Sequence, residues 1–216
     1  VKHGVYLYWD IHYLQSPDGG QAWRRMNGTP VNLPVVADET GPSDRITLDD
    51  EFECHTWLSS FLVKEGKAHF LYLAQSKPPR QHYVRYDLRF ARREVDRQPE
   101  FRGETLSLCG LDGFFAAARG KPGSTLYAIG REANLARLVC LASDDNGPTW
   151  HDYAVSEPTA NPYAIGGCRE VTDDGWIIGS FTDTLPAPAT GGSAEARVYF
   201  FKFRAGLPLP RRTAGN

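Results

Sequence analysis

The sequence predicts an all-β protein built from repeated antiparallel sheets, and three observations support this. The chain of 216 residues contains 21 Gly and 15 Pro, and 12% of its residues are aromatic. This composition is typical of many short strands joined by tight turns. The second observation is an octapeptide that occurs twice. The third is an order of strands and turns that recurs along three stretches of the chain.

The octapeptide Ser16–Trp23 (SPDGGQAW) returns as Ser143–Trp150 (SDDNGPTW). Both copies have Ser at the first position, Asp at the third, Gly at the fifth and Trp at the eighth. The Ser and Asp side chains can bond nearby backbone N–H groups, and the Gly adopts a positive φ at no steric cost. Each copy therefore predicts a hairpin turn, whose Trp begins the returning strand and closes a gap between sheets.

Three units of strand, turn, strand, loop and strand begin near residues 55, 112 and 163. Their predicted strands are 55–63, 67–75 and 82–90, then 113–119, 124–131 and 135–142, then 163–171, 175–183 and 196–204. A half unit precedes them, and the stretches 37–54 and 91–110 read as long connections. Helices are the alternative for 113–119 and 132–141, but the hairpin turn that follows the second stretch favours strands.

Units of about 40–50 residues with four strands each are typical of β-propeller blades. The octapeptide resembles the Asp box, or BNR repeat, of sialidase-like β-propellers; Thr149 keeps the family's usual Thr, whereas Ala22 departs from it. The resemblance implies a single β-propeller domain of four-stranded antiparallel blades. Its parts are a half blade at 5–36 and blades near 55–100, 112–155 and 163–204.

The visible blades number about 3.5–4, whereas closed propellers have four to eight. The chain is therefore expected to be a four-bladed ring or part of a larger propeller. It begins at Val1 without Met, so either a leader has been removed or the chain was cut from a longer one. Open sheet edges would favour a homo-oligomer.

Charge and cysteine content exclude several function classes. The net charge is -2, from 24 basic and 26 acidic residues, which gives no electrostatic case for nucleic acid or a membrane surface. No pair of cysteines forms a CxxC motif, so neither a metal nor another cofactor is predicted. Cys54, Cys109, Cys140 and Cys168 are expected to be buried free thiols, with disulfides of a secreted protein as the alternative. We expect a secreted or periplasmic protein; a cytoplasmic one is the alternative.

Propeller geometry sorts the candidate functional residues. The starts of the innermost strands and the loops after the second strands lie at one face, and the Asp boxes lie at the other. The starts supply three candidate catalytic residues, His55, Asp112 and Tyr163. The loops supply the candidate substrate-binding residues Arg80, His82, Arg131, Glu132 and Asp183. Arg binds carboxylates through a planar fork, so this rim suits an acidic sugar.

Structural roles are the alternative for these candidates. His55 could be a hydrogen-bonded core histidine, Tyr163 a packing residue and Asp183 a turn residue, and Arg131 and Glu132 could form a surface pair. The Asp boxes are expected to be structural throughout: Ser16, Asp18, Gly20, Trp23, Ser143, Asp145, Gly147 and Trp150.

The resemblance implies two kinds of enzyme that act on acidic glycans. Sialidases use an arginine cluster, a Tyr activated by a Glu, and an Asp acid/base; their early arginine motif is missing from this sequence. Polysaccharide lyases of the BNR type abstract the proton beside a uronate carboxylate, and His55, Tyr163 and Arg131 could fill those roles. The alternatives are a non-catalytic propeller that binds carbohydrate or protein, and an incomplete propeller fragment.

Overall fold

The computed structural model describes residues 10–35, 44–47, 55–74, 80–95, 101–132, 136–185 and 195–206. Strands make up about 60% of these residues, one sheet curls into a half-barrel, and this part of the chain contains no helix. The prediction of an all-β fold is therefore confirmed. It also follows that no described segment is a helix capable of crossing a membrane.

The first large sheet is a four-stranded antiparallel meander. Its strands are β5 (Thr56–Lys64), β6 (Lys67–Ala74), β7 (Arg80–Asp87) and β8 (Arg92–Val95). Strand β7 ends three residues earlier than predicted. Asp87 accepts hydrogen bonds from the backbone N–H groups of Arg89 and Phe90, which turns the chain and leaves Phe90 60% exposed.

The second large sheet repeats this meander. Its strands are β9 (Leu108–Ala118), β10 (Leu126–Glu132), β11 (Leu138–Ser143) and β12 (His151–Val155). Strand β14 (Glu170–Val171) adds to the sheet by pairing parallel with the end of β9. The choice of strands over helices for 113–118 and 138–142 is thus confirmed, because both stretches pair with β10 on its two sides.

The third sheet has three strands in the order β13, β15, β16 among the described residues. They are β13 (Pro162–Gly167), β15 (Trp176–Leu185) and β16 (Glu195–Arg204). One face of this sheet packs on the second sheet. The other face leaves Phe200 84% and Val198 64% exposed. Strand β16 is also an edge strand of this sheet among the described residues.

The N-terminal strands form two small pairs. Strand β1 (His12–Tyr13) pairs with β4 (Asp44–Arg45), and β2 (Trp23–Arg24) pairs with β3 (Pro30–Val31). The stretch 37–54, predicted as a connection, therefore contains a strand. Asp44 is tied to the neighbouring segment because its carboxylate accepts a hydrogen bond from Arg25 Nε at 3.0 Å and one from the Met26 backbone N–H. Residues 5–9 of the predicted half blade lie outside the described residues.

The three large sheets lie side by side through their first strands. Strand β5 contacts β9, and β9 contacts β13. The phenyl ring of Phe115 on β9 packs against the first sheet, and that of Phe114 packs against the third. A direct bond also joins the first two sheets, because the Phe115 backbone N–H donates to Ser60 Oγ of β5 at 3.1 Å. Strand β9 is therefore held between the first strands of the other two sheets.

Candidate functional site

The two octapeptides fold into the same hydrogen-bonded turn, as predicted. The first-position Ser hydroxyl accepts the backbone N–H of the fifth-position Gly at 2.7 Å in both copies. The same hydroxyl donates to the third-position Asp at 2.9 Å in the first copy and 2.8 Å in the second. The indole N–H of Trp23 and of Trp150 then donates to the carbonyl of that Gly. The backbone on either side pairs as a hairpin around both turns.

The second turn also joins two sheets. Arg85 Nη1 of the first sheet donates to the Asn146 carbonyl at 2.6 Å, and Asn146 Nδ2 donates to the Lys64 carbonyl at 3.3 Å. Trp150 is buried against Tyr83 and Phe101, with ring centroids 5.2 and 4.9 Å apart. Residues of the turn are therefore used in contacts with the first sheet, which agrees with the structural role predicted for this octapeptide.

Away from the two octapeptide turns, the first strand of each large sheet carries a β-bulge. Strand β5 bulges at Ser59, β9 at Gly110–Asp112 and β13 at Ala164–Ile165, as the breaks in strand register show. A bulge redirects side chains and is enriched beside functional sites. The three bulges lie together, because residues from each of them line one cleft.

The cleft has a volume of about 430 Å³ and opens widely to solvent. Its described walls combine apolar side chains with one hydroxyl and one carboxylate. They are Trp57, Leu58, Ser59, Leu111, Asp112, Gly113 and Ile165. An aromatic ring beside a few fixed polar groups is typical of a small-ligand site. We therefore take this cleft as the candidate functional site.

Asp112 fixes the bulge on the opposite wall. Its Oδ2 atom accepts the backbone N–H of Ala164 at 2.6 Å. Ala164 has a φ of 50°, a left-handed conformation that costs a non-glycine residue about 1–3 kcal/mol. Strain of this kind persists where surrounding contacts enforce it, and it clusters at binding and catalytic sites. Tyr163, the preceding residue, pairs with Thr182, is 39% exposed and is not among the described walls of the cleft.

Two of the predicted histidines are buried rather than open to solvent. His55 has no exposed surface and lies 5.8 Å from the Trp57 ring, measured between centroids. His82 is 3% exposed and packs edge-on against Tyr72. Neither residue lines the cleft among its described walls. Both positions match the structural alternative stated above more closely than the functional one.

The structure brings Arg131 and Asp183 to one edge, where Asn161 links them. Arg131 Nη1 donates to Asn161 Oδ1 at 3.0 Å, and the Asn161 backbone N–H donates to Asp183 Oδ1 at 2.6 Å. Asp183 is 5% exposed and also accepts the Ala160 N–H. The carboxylate therefore holds the loop before β13, which agrees with the turn role considered for it.

Glu132 and Arg80 complete the set of predicted rim residues. Glu132 is 7% exposed and forms a two-armed ion pair with Arg137, a residue that the sequence did not single out. This pairing, rather than one with Arg131, satisfies its carboxylate. Arg80 begins β7, and its side chain lies outside the described residues, as does Cys54. Cys109, Cys140 and Cys168 are free thiols, of which only Cys140 is fully buried.

Three aromatic or polar residues of the site were not among the candidates selected from the sequence. Trp57 and Ser59 lie in a predicted strand, and nothing in the sequence marks Ser59 as the bulged position. Gln81 lies behind the cleft, with its Nε2 donating to Ser59 Oγ at 3.3 Å. The signal available in the sequence was the pair Gly110 and Gly113 within a strand, because glycine inside a strand often marks a bulge.

Neither metal chemistry nor homology assigns the cleft a role. The described residues contain no group of three or more His, Cys, Asp or Glu arranged to hold a metal ion. No family model matches the chain, and no similar curated protein or solved structure was found. The role of the cleft has to be inferred from its own residues.

Proposed function

We propose that the protein is an Asp-box β-propeller, complete or partial, whose large sheets are its blades. Two sheets are four-stranded meanders, and their first strands lie next to one another, as the central strands of neighbouring blades do. The second Asp box forms the turn between the third and fourth strands of its sheet, where the resemblance expects it. Both boxes also share one hydrogen-bonding pattern.

The cleft on the central strands is proposed as a carbohydrate-binding site. One observation carries this: three bulges converge to place an indole, a hydroxyl and a carboxylate around a single open cleft. Sugars present an apolar C–H face and a rim of hydroxyls. Trp57 offers an aromatic surface for the first, while Ser59 and Asp112 offer hydrogen bonds for the second. The open shape fits an extended glycan better than an enclosed small molecule.

Isothermal titration calorimetry against a broad panel of oligosaccharides tests this proposal. Trp57→Ala is expected to weaken binding at least about 10-fold, because it removes the aromatic wall. Trp176→Ala is the matched control, since Trp176 lies on the third sheet under the side chains of Lys202 and Arg204. No binding by the folded protein, or equal loss in both variants, would contradict a carbohydrate site in the cleft.

Catalysis on a glycan is the second candidate, and the bond between Asp112 and the strained Ala164 favours it. Backbone strain of this kind clusters at catalytic sites, and the Asp112 carboxylate could act as an acid or a base toward a sugar. Only one carboxylate lines the described cleft, whereas most glycosidases use two.

The two candidates differ in one measurement. An enzyme turns over sialosides or uronate polysaccharides, and Asp112→Asn abolishes turnover while binding remains. A binding protein releases its glycan unchanged, and Asp112→Asn alters only affinity. Release of sialic acid and the ultraviolet absorbance of unsaturated uronates report the two reactions separately. A folded protein that binds glycan but turns over neither substrate class would leave only the binding role.

A further inference from the structure

We infer that the sugar unit recognised in the cleft is neutral, held by Ser59 as hydrogen-bond donor and by Asp112 as acceptor, with Gln81 positioning the Ser59 hydroxyl. This inference rests on the proposed carbohydrate site and names its substrate class. It departs from the acidic sugar expected from the sequence.

Gln81 is a buried amide placed directly behind the cleft. Its side chain is 1% exposed, and its Nε2 donates to Ser59 Oγ. Its Oε1 atom is fully buried and has no hydrogen-bond partner. A buried amide oxygen without a partner costs free energy, and natural structures retain such groups mainly where function requires them.

Two glycines lie beside this amide. A Cβ at Gly113 would lie 3.4 Å from Gln81 Nε2, and one at Gly130 would lie 3.8 Å from Gln81 Oε1, both ordinary contact distances. Gly113 itself lines the cleft. The amide is therefore next to strands β9 and β10, and its bond to Ser59 links it to the cleft.

The direction of the Gln81–Ser59 bond determines what Ser59 offers a ligand. An amide N–H can only donate, so the Ser59 oxygen accepts and its own proton is free to point elsewhere. Ser59 therefore presents a donor to the cleft. On the facing bulge, Asp112 uses one oxygen for the Ala164 N–H and keeps the other as an acceptor. Neighbouring hydroxyls of a sugar ring can accept from one residue and donate to the other.

Charge selects a neutral sugar over an acidic one. Asp112 is the only charged residue among the described walls of the cleft. A uronate or sialate would place a second negative charge beside it, and like charges repel. Neither Arg131, which donates to Asn161, nor Arg137, which pairs with Glu132, is among the described walls of the cleft.

The test compares two sets of probes by calorimetry. Neutral manno-, gluco- and galacto-oligosaccharides form one set, and oligogalacturonate and sialyllactose form the other. We expect the neutral set to include a ligand and the acidic set to bind at least about 10-fold more weakly. Acidic probes that bind as tightly, with Trp57→Ala abolishing that binding, would overturn this inference and leave the carbohydrate site standing. Absence of binding by every probe would overturn both.

Variants test the named roles. Ser59→Ala should weaken neutral-sugar binding about 10-fold by removing the donor. Asp112→Asn keeps an acceptor for the Ala164 N–H but removes the charge, so it should narrow the preference for neutral over acidic sugars. An unchanged preference in Asp112→Asn, or full affinity in Ser59→Ala, contradicts the assignment.

The positioning role of Gln81 has a separate readout. Gln81→Met should weaken binding several-fold in the wild-type background and have no further effect once Ser59 is Ala, because Gln81 acts through Ser59. A structural role alone would give the same loss in both backgrounds. Thermal unfolding verifies that each variant is folded, and Ser59→Ala, which leaves the core intact, tests the donor even if Gln81→Met is unstable.

Discussion

The fifth-position glycines of the two octapeptides, Gly20 and Gly147, have the same backbone geometry but different surroundings. Their φ angles are 97° and 109°. A Cβ at Gly20 would have nothing within 4 Å, whereas one at Gly147 would overlap the Tyr83 hydroxyl and lie 3.2 Å from His69 Cε1. Only the second glycine is therefore needed both for its conformation and for close packing.

Alanine substitution separates these two reasons. Gly20→Ala incurs only the left-handed backbone cost, about 1–2 kcal/mol. Gly147→Ala adds overpacking against Tyr83, for a total loss of about 3 kcal/mol in the free energy of unfolding. Urea unfolding of both variants measures the difference. Equal losses would show that the second turn does not pack against the first sheet.

His69 makes stability depend on pH. It is fully buried, with Nδ1 bonded to Tyr83 Oη at 2.9 Å, and burial lowers its pKa from 6.5 to about 3. Because the folded pKa lies below the unfolded one, protonation favours the unfolded chain. The contribution of neutral His69 to the free energy of unfolding is fully present above pH 6.5 and is lost as the pH falls toward 3. The slope is about 1.4 kcal/mol per pH unit.

Between pH 6.5 and 5 this slope predicts a loss of about 2 kcal/mol. His69→Gln keeps a hydrogen-bonding group near Tyr83 but cannot titrate, so its stability should fall less over the same interval. Groups common to both proteins cancel in the comparison. Parallel pH profiles of the two proteins would show that His69 is not buried in its neutral form.

Residue identity predicted the turns well and the site poorly. Ser143 and Asp145 fulfil their predicted roles because both bond backbone groups within a few residues, a local interaction that sequence spacing records. Asp112 and Tyr163 were selected as strand starts, yet Asp112 lies inside β9, in a bulge. The bond from the Ala164 N–H to Asp112 depends on the packing of β9 against β13, which no local pattern encodes.

At the scale of elements, one turn motif serves two different purposes. The first octapeptide forms a short hairpin turn at the surface, and Trp23 is only half-buried. The second octapeptide places Trp150 between the first two sheets, next to Tyr83, Phe101 and Phe115. The same eight-residue pattern therefore specifies a turn, and the packing of the surrounding sheets determines whether the turn also belongs to the core.

Removal of each indole measures this difference. Trp150→Ala should lower the free energy of unfolding by about 3–5 kcal/mol, as expected for an aromatic ring deleted from a packed core. Trp23→Ala should lower it by about 1 kcal/mol or less, since little of its surface is in the core. Chemical denaturation gives both values. If Trp23→Ala lowered the free energy of unfolding as much as Trp150→Ala, Trp23 would also have to be packed in a core, contrary to this prediction.

Strand positions were predictable because apolar runs bounded by turn residues fix them, and β6 and β16 start within one residue of expectation. The strand ends were not predictable, nor was the bulge in β5. That bulge leaves Ser59 without a partner on β6, in a strand that also packs against β9. Such a mismatch reflects the assembly of the sheets, and no glycine marks it at Ser59.

At the scale of the whole molecule, the third sheet has one buried face and one exposed apolar face. Its inner face is buried against the second sheet, while its outer face exposes Tyr163, Ile178, Val198 and Phe200. Strand β16 is ten residues long, and its outer edge has no described partner. A long apolar edge strand of this kind is prone to pair with another chain, and soluble monomers usually protect it.

We expect this surface to drive self-association, which would bury the Phe200 ring and pair the free edge of β16. Sedimentation over a range of concentrations should show reversible association of the wild-type protein, and Phe200→Lys should shift it to the monomer by placing a charge on the apolar face. Leu33→Lys is the control, since Leu33 is another exposed apolar residue, at 60%, but lies in the N-terminal segment. A wild-type monomer at every concentration, or association that survives Phe200→Lys, would contradict self-association through β16. A monomer would also mean that the outer face of the third sheet tolerates water, with Lys202 and Arg204 over Trp176 providing its protection.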